Sequence, residues 1–211
     1  MAEQILTLAV LITTTRPMKV IVIKYNAGNI RSVSFALERL GVDFMVSDSV
    51  EEIQKADKVI FPGVGEASST MNYLKTHKLD EVIRNLKQPT LGICLGMQLM
   101  CHHSEENNTI CLGIFDETVR LFKGEMLKVP HMGWNSLTKV RGWLDPTLEG
   151  KYVYFVHSYY VPLTTYTVAE TDYGIPFSAA LRKNNFYAVQ FHPEKSAEVG
   201  ENILQGFLKE G

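Results

Sequence analysis

A cysteine held between two glycines, in Gly92-Ile93-Cys94-Leu95-Gly96, is the residue of this chain best placed for covalent chemistry. Residues 90–93 are an apolar strand and residues 96–103 carry a helical pattern, so the thiol falls at a strand-to-helix turn. That is the nucleophile-elbow arrangement. Larger side chains at Gly92 and Gly96 would collide with neighbouring backbone. In return the sulfur stands clear of the sheet at a helix N-terminus, where negative charge is favoured. The Leu95 backbone N–H is expected to face the same space and to stabilise the oxyanion of a tetrahedral intermediate. The plain alternative is a buried structural cysteine, since free cysteine often packs as a small apolar residue. The paired glycines argue against it.

A sulfur nucleophile needs a base that later serves as an acid, and the base needs an orienting group. Phe191-His192-Pro193-Glu194 offers both, at the end of an apparent strand at 187–190. The proline between them makes the loop rigid, so the Glu194 carboxylate can reach the distal imidazole nitrogen of His192. Alone, a His-x-Glu pair reads as an exposed loop. Joined to the elbow, it completes a Cys94, His192, Glu194 triad. A third feature is the turn Pro62-Gly63-Val64-Gly65-Glu66, whose glycines let backbone N–H groups approach an oxyanion or a carboxylate. It lacks the Lys-Ser/Thr of a P-loop and the GxGxxG spacing, so a nucleotide phosphate is disfavoured.

These features must be positioned by the elements around them. Residues 19–24 (KVIVIK) read as a strand buried on both faces. Asn29 is placed as an N-cap, with Ile30, Val33, Leu37 and Leu40 at helical spacing behind it and Gly41 as the stop. A strand at 44–46, a short helix at 51–56 and a strand at 59–61 follow. Helices at 69–75 and 79–86 then lead to the strand before the elbow. Strands alternating with helices imply a parallel sheet covered on both faces, with sites at the carboxyl ends of its strands. Past residue 107 short alternating stretches appear, at 119–122, 152–156, 166–170, 177–181 and 187–191, which read as antiparallel or mixed. A helix containing Ile203, Leu204, Phe207 and Leu208 closes the chain. No repeat or low-complexity linker interrupts 18–211, which is expected to be one domain.

Composition narrows the rest. The chain has 211 residues, a net charge of −2 and no basic block, so nucleic acid is not an expected partner. Its three cysteines, Cys94, Cys101 and Cys111, do not resemble a disulfide scaffold and suit a reducing compartment, hence a cytoplasmic protein. With no CxxC or HxxxH pair beside them, no metal site is expected, and His102-His103 reads as an exposed helix end. The apolar run at 5–12 is too short to span a membrane and lacks a signal peptide's basic start and cleavage site. Residues 1–17 are therefore expected to be an extension outside the fold, ahead of a domain that begins at Met18.

PGVG, GICLGMQ and FHPEKS, in that order, resemble the class I (triad) glutamine amidotransferases. GNIRSV at 28–33, PHMGWN at 130–135 and YFVHSYY at 154–160 are similar to the glutaminase subunits of imidazole glycerol phosphate synthases. The resemblance runs from Met18 to near the C-terminus. It implies a flavodoxin-like three-layer α/β/α fold with a mostly parallel sheet and added antiparallel strands in the C-terminal half. It also implies hydrolysis of L-glutamine to glutamate and ammonia through a cysteine thioester. The ammonia would pass to a (β/α)₈-barrel cyclase subunit, in a heterodimer that makes imidazole glycerol phosphate and AICAR in histidine biosynthesis. No cofactor is implied. By resemblance Cys94 is the nucleophile, His192 its acid and base, and Glu194 the group that orients the histidine. Gly63, Val64 and Gly65 match the oxyanion strand, thought in these subunits to switch a peptide orientation when the synthase binds substrate. Gly65, Gln98, Glu106, Ser158 and Tyr159 match glutamine-binding positions. Asn29, Met132, Trp134, Asn135 and Lys195 match the face toward the cyclase.

The chain departs from the family at Lys24-Tyr25-Asn26-Ala27, where an acidic residue and a second glycine are commoner, and residues 1–17 have no counterpart. Gln98 read without the family is a solvated polar residue, and Trp134 a core aromatic. Two other readings stay open: a glutaminase serving another synthase, of the anthranilate or aminodeoxychorismate type, or a γ-glutamyl hydrolase; and a catalytically silent regulatory subunit. PHMGWN and HPEKS discriminate against the first, and the complete set of Cys94, His192 and Glu194 against the second.

Overall fold

The computed structural model of the chain describes residues 16–25, 29–124 and 127–210. The apolar run at 5–12 and residues 26–28 lie outside them. Of the expected extension, Arg16 and Pro17 are described, and Arg16 pairs with Asp57 at 2.6 Å in an exposed contact worth little.

In chain order the main elements are β1 (Val20–Ile23), α1 (Ile30–Arg39), β2 (Phe44–Ser47), α2 (Val50–Gln54), β3 (Lys58–Phe61), α3 (Ala67–Thr76), α4 (Leu79–Arg84), β4 (Thr90–Ile93) and α5 (Leu95–Met100). There follow β5 (His103–Ser104), β6 (Thr109–Ile110), β7 (Thr118–Leu121), β8 (His131–Ser136), β9 (Tyr152–His157) and β10 (Tyr159–Tyr160). The chain then forms β11 (Thr167–Asp172), β12 (Pro176–Lys183), β13 (Phe186–Val189) and α6 (Ala197–Lys209). The central sheet has the order β11-β12-β13-β4-β3-β1-β2. Five neighbours, from β13 to β2, are parallel, and β12 runs antiparallel to β11 and β13. A small sheet β10-β7-β5-β6 and the hairpin β8-β9 stand apart from it.

The strand at β1 is fully buried because its two faces supply two cores. Val20 and Val22 pack with Leu37 of α1 and with Leu204 and Phe207 of α6. Ile21 and Ile23 pack with Ile53 of α2, Leu74 of α3, Ile83 of α4 and Leu99 of α5. Period-2 alternation in an all-apolar strand therefore builds the three-layer α/β/α stack expected from the sequence.

Three expectations need correction. The helix after the elbow ends at Met100, not near His103, because the loop after β6 takes its last carbonyls. Leu112 N–H donates to Leu99 O at 2.9 Å and Ile114 N–H to Met100 O at 2.9 Å. His103 accordingly lies in β5 rather than at a helix end. Asn29 occupies the position before α1 but makes no side-chain cap bond, its amide being engaged elsewhere. The strand β8 was not foreseen, since HMGWNS shows no clean apolar alternation.

The topology delivers the chemistry to one edge. Three adjacent parallel strands, β3, β4 and β13, end beside one another, and their next residues are Pro62, Cys94 and Gln190. Helix α6 then clamps the loop that follows β13. Ser196 Oγ donates to His192 O at 2.7 Å and accepts the Tyr154 N–H at 2.9 Å. Gly200 is pressed so close that a Cβ there would fall 1.9 Å from Pro193 O. Gly200→Ala should therefore destabilise the protein by about 1–3 kcal/mol through overpacking. Gly206→Ala, in the same helix with nothing within 4 Å, should stabilise it by about 0.5–1 kcal/mol. Urea unfolding checks both, and an equal response would show that Gly200 does not hold the loop.

Candidate active site

Cys94 adopts φ 53° and ψ −108°, a backbone conformation that L-residues other than glycine rarely hold. What maintains it is the approach of backbone on every side. A Cβ on Gly96 would lie 2.1 Å from Phe61 O, and one on Gly92 would lie 2.9 Å from Gly96 C. The sequence could carry those positions only as glycine. The Cys94 N–H is tied to Val189 O at 2.8 Å, which fixes the elbow to the neighbouring strand β13.

His192 and Glu194 meet as expected from one short loop, His192 Nδ1 lying 2.7 Å from a Glu194 carboxylate oxygen with both side chains fully buried. The carboxylate acceptor places the proton on Nδ1 and leaves Nε2 as the nitrogen available for acid–base chemistry. His192 Nε2 has no hydrogen-bond partner in acceptable geometry. Burial alone would lower the histidine pKa, but the charge of Cys94, followed by the bond and charge of Glu194, raises it to about 10. The imidazolium form is thus favoured while the sulfur is anionic.

Behind this pair stands Asn29, buried at the start of α1. Its amide nitrogen donates to the same Glu194 oxygen and lies 3.3 Å from His192 Nδ1. Beside the sulfur stands Gln190, whose amide reaches Cys94 Sγ at 3.7 Å and accepts from Gln98 at 3.0 Å. Sequence reasoning passed over Gln190; a glutamine closing an otherwise apolar buried strand was the available signal. Gln98 also donates to Tyr159 O at 2.9 Å, so it is a buried strut rather than a solvated side chain.

A cavity of about 340 Å³ opens over the sulfur, a size suited to a small ligand. Cys94, Leu95, Val64, Gly65, Gln98, Glu106, Ser158 and Tyr159 all line it, together with Pro130, Val156 and His157. One lining carboxylate, Glu106, feels the charge of a second, Glu66. Glu66 resists burial by accepting the Ser68 and Ser69 N–H groups at 2.7 Å each, which holds its pKa down to about 2. Glu106 is raised, by burial first and by the charge of Glu66, against the Ala67 N–H bond that lowers it. Its carboxylate accepts that N–H at 2.8 Å.

The segment expected to form an oxyanion site differs from expectation in one respect. Leu95 N–H does not face open space but donates to Gly63 O at 3.4 Å. In a trans peptide the N–H points opposite to the carbonyl, so the Val64 N–H is turned away from the sulfur. Only the missing Cβ of Gly63 allows this, since one built there would lie 2.5 Å from Gly96 N.

Two histidines tie the hairpin to the cavity wall. His157 Nδ1 donates to Tyr159 O at 2.7 Å, so its Nε2 accepts from His131 Nδ1 at 3.2 Å. Burial keeps both neutral, His157 down to about 3 and His131 down to about 4. On the outer side of the same hairpin Met132 is 63% and Trp134 53% exposed, and Asn135 is half-buried. Trp134 meets Tyr154 edge-on at 6.0 Å, and the exposed Lys195 lies 5.8 Å from the Tyr154 ring. Asn29 is the one expected partner-face residue that is buried against the candidate triad. Among the described residues, no cluster of three or more His, Cys, Asp or Glu is arranged to hold a metal ion.

A family model for glutamine amidotransferase class-I matches residues 21–210. The chain is 60% identical over 194 residues to the imidazole glycerol phosphate synthase subunit HisH of Bacteroides thetaiotaomicron, a match covering 90% of this chain and 99% of that protein. It is also 60% identical over 195 residues to the subunit of the same name in Bacteroides fragilis, covering 91% and 100%. A solved structure described as a glutamine amidotransferase superposes with a TM-score of 0.70 at 18% identity, covering 90% of this chain and 97% of that one. At that identity the likeness speaks for the fold alone.

The three thiols should differ sharply in reactivity. Burial pushes the Cys101 thiol well up and the Cys111 thiol up to about 12, which keeps both protonated at neutral pH. A glutamine-like electrophile should label Cys94 first, read by peptide mass spectrometry; equal labelling of all three would remove the case for an activated thiol. In Cys94→Ala the histidine loses its largest raising cause while burial still lowers it. The His192 ring should then titrate well below 10 when followed by NMR, and an unchanged value would show that Cys94 is not its partner.

Proposed function

The chain belongs to the class I glutamine amidotransferase family, and from that membership we propose that it is the glutaminase subunit of an imidazole glycerol phosphate synthase. It hydrolyses L-glutamine to glutamate and ammonia and passes the ammonia to a cyclase subunit that makes imidazole glycerol phosphate and AICAR in histidine biosynthesis. The observation that carries this reading is the buried His192–Glu194 pair at 2.7 Å beside a sulfur on a glycine-bounded elbow.

In the proposed reaction glutamine enters the cavity with its carboxamide over Cys94. The sulfur attacks the amide carbon, and the charge that develops on oxygen is met by backbone N–H groups of Leu95 and Val64. His192, held as imidazolium by Glu194, gives its Nε2 proton to the departing nitrogen, so ammonia leaves and a thioester remains. The neutral imidazole then takes a proton from water, which attacks the thioester carbon; glutamate leaves and the thiol returns. Glu106, Gln98, Gly65, Ser158 and Tyr159 are proposed to hold the amino-acid end and the walls of the site.

The partner is proposed to be a (β/α)₈-barrel cyclase in a heterodimer, seated on Met132, Trp134, Asn135 and Lys195, with Asn29 acting from beneath that face through the triad. A membrane role is not proposed, since no described helix is long and apolar enough to cross one. A cytoplasmic location fits the three unpaired thiols. The domain is proposed to span 18–211, with 1–17 outside it.

The decisive assay measures glutamate release by the chain alone, with the cyclase, and with the cyclase plus its nucleotide substrate. With Gly63 O covering Leu95 N–H the isolated chain should be slow, because one absent oxyanion donor typically lowers the rate about 10²–10³-fold. Release should rise in the third condition; full activity in the first would sink the coupling. Cys94→Ser should abolish release in all three with unaltered folding and partner binding, because a serine hydroxyl is a far poorer nucleophile here.

A further inference from the structure

We propose that Tyr25 is a positioning residue that holds the turn after β3 in its closed form, keeping the Gly63 carbonyl against the Leu95 N–H and unstimulated turnover low. This rests on the glutaminase reading above. Tyr25 follows β1, the neighbour of β3, and is only 5% exposed. Its ring packs on Phe61 with centroids 5.5 Å apart, and its hydroxyl donates to Pro62 O at 2.5 Å. Burial first, then the charge of Cys94, raises its pKa far above the ordinary phenol range, so it remains a neutral donor at any working pH.

Three facts make this bond a latch. First, Gly63 cannot move inward, because the elbow backbone already lies against it. Second, the bond that closes the oxyanion site, Leu95 N–H to Gly63 O, is long at 3.4 Å against a usual value near 2.9 Å. Its geometry therefore depends on how the strand is held from outside. Third, Gly65 at the other end of the turn is exposed, sits at φ +117°, and has open space around a built Cβ. The turn is thus pinned at its Pro62 end, with room for the backbone to rotate ahead of Gly65. Releasing the pin lets the Gly63–Val64 peptide rotate about its two flanking bonds. The carbonyl then leaves Leu95, and the Val64 N–H takes its place over the sulfur.

Tyr25→Phe removes one donor and keeps the ring against Phe61. Glutamate release by the isolated variant should rise about tenfold, a fraction of what one oxyanion donor is worth. KM for glutamine should change less than about twofold, since no glutamine contact is altered. Stimulation by the cyclase and its substrate should fall by the same factor as the basal rate rises. The Leu95 amide should exchange faster in the variant than in the wild type, followed by NMR. A residue that merely supports the fold would lower basal and stimulated rates together, and that result, or an unchanged basal rate with unchanged Leu95 exchange, would overturn the role. Should Tyr25→Phe fail to fold, Tyr25→Leu, which also lacks the donor, carries the same expectation. A wild-type chain that releases no glutamate in any condition would overturn the glutaminase reading and this role with it. A stimulated wild type beside an unaltered variant would overturn this role alone.

Discussion

One very close backbone approach is the one on which the elbow depends. At Gly96 a single methyl group would sit 2.1 Å from the carbonyl of Phe61, which no side-chain adjustment could relieve. Strand β3, the elbow after β4 and the start of α5 are therefore locked together by the absence of atoms. Cys94 is held at φ 53° because its neighbours leave no other path between strand and helix. Such strain persists only where the surroundings over-determine it. Here they consist of buried parallel strands on both sides and two apolar cores, above and below.

The second constraint is electrostatic. A buried histidine and a buried glutamate would ordinarily both favour their neutral forms. Here the charge of Cys94 and the bond from Glu194 at 2.7 Å outweigh burial and raise the histidine to about 10. Asn29 supports the pair by donating to the Glu194 oxygen that His192 Nδ1 also engages.

Much of this was legible in the sequence because it is written locally. Gly92, Cys94 and Gly96 fall within five residues, His192 and Glu194 within three, and the alternation of β1 states its double burial outright. What was not legible depends on contacts between distant positions. Asn29 has the composition of an N-cap, yet its amide turns to a loop 165 residues away. Gln190 looks like the polar end of a strand until it is found bridging Gln98 and Cys94. The length of α5 was misread because its last carbonyls are satisfied by residues 112–115 and not by its own continuation. The covering of Leu95 N–H by Gly63 is a matter of one peptide's orientation, and two glycines permit either.

The separation of the β8-β9 hairpin from the central sheet bears on how such a protein can change over generations. Met132 and Trp134 project from a two-stranded unit that shares no strand with the sheet carrying the elbow. Substitutions on its outer face alter no backbone approach at Gly63, Gly92 or Gly96, and so leave the strained cysteine alone. The hairpin's inner face is another matter, since His131 reaches the cavity wall through His157. If the proposed cyclase face is this outer one, a lineage adapting to a new companion subunit has latitude there and almost none one layer beneath it. Drift in recognition and rigidity in chemistry would then be divided between the two sides of a single ribbon.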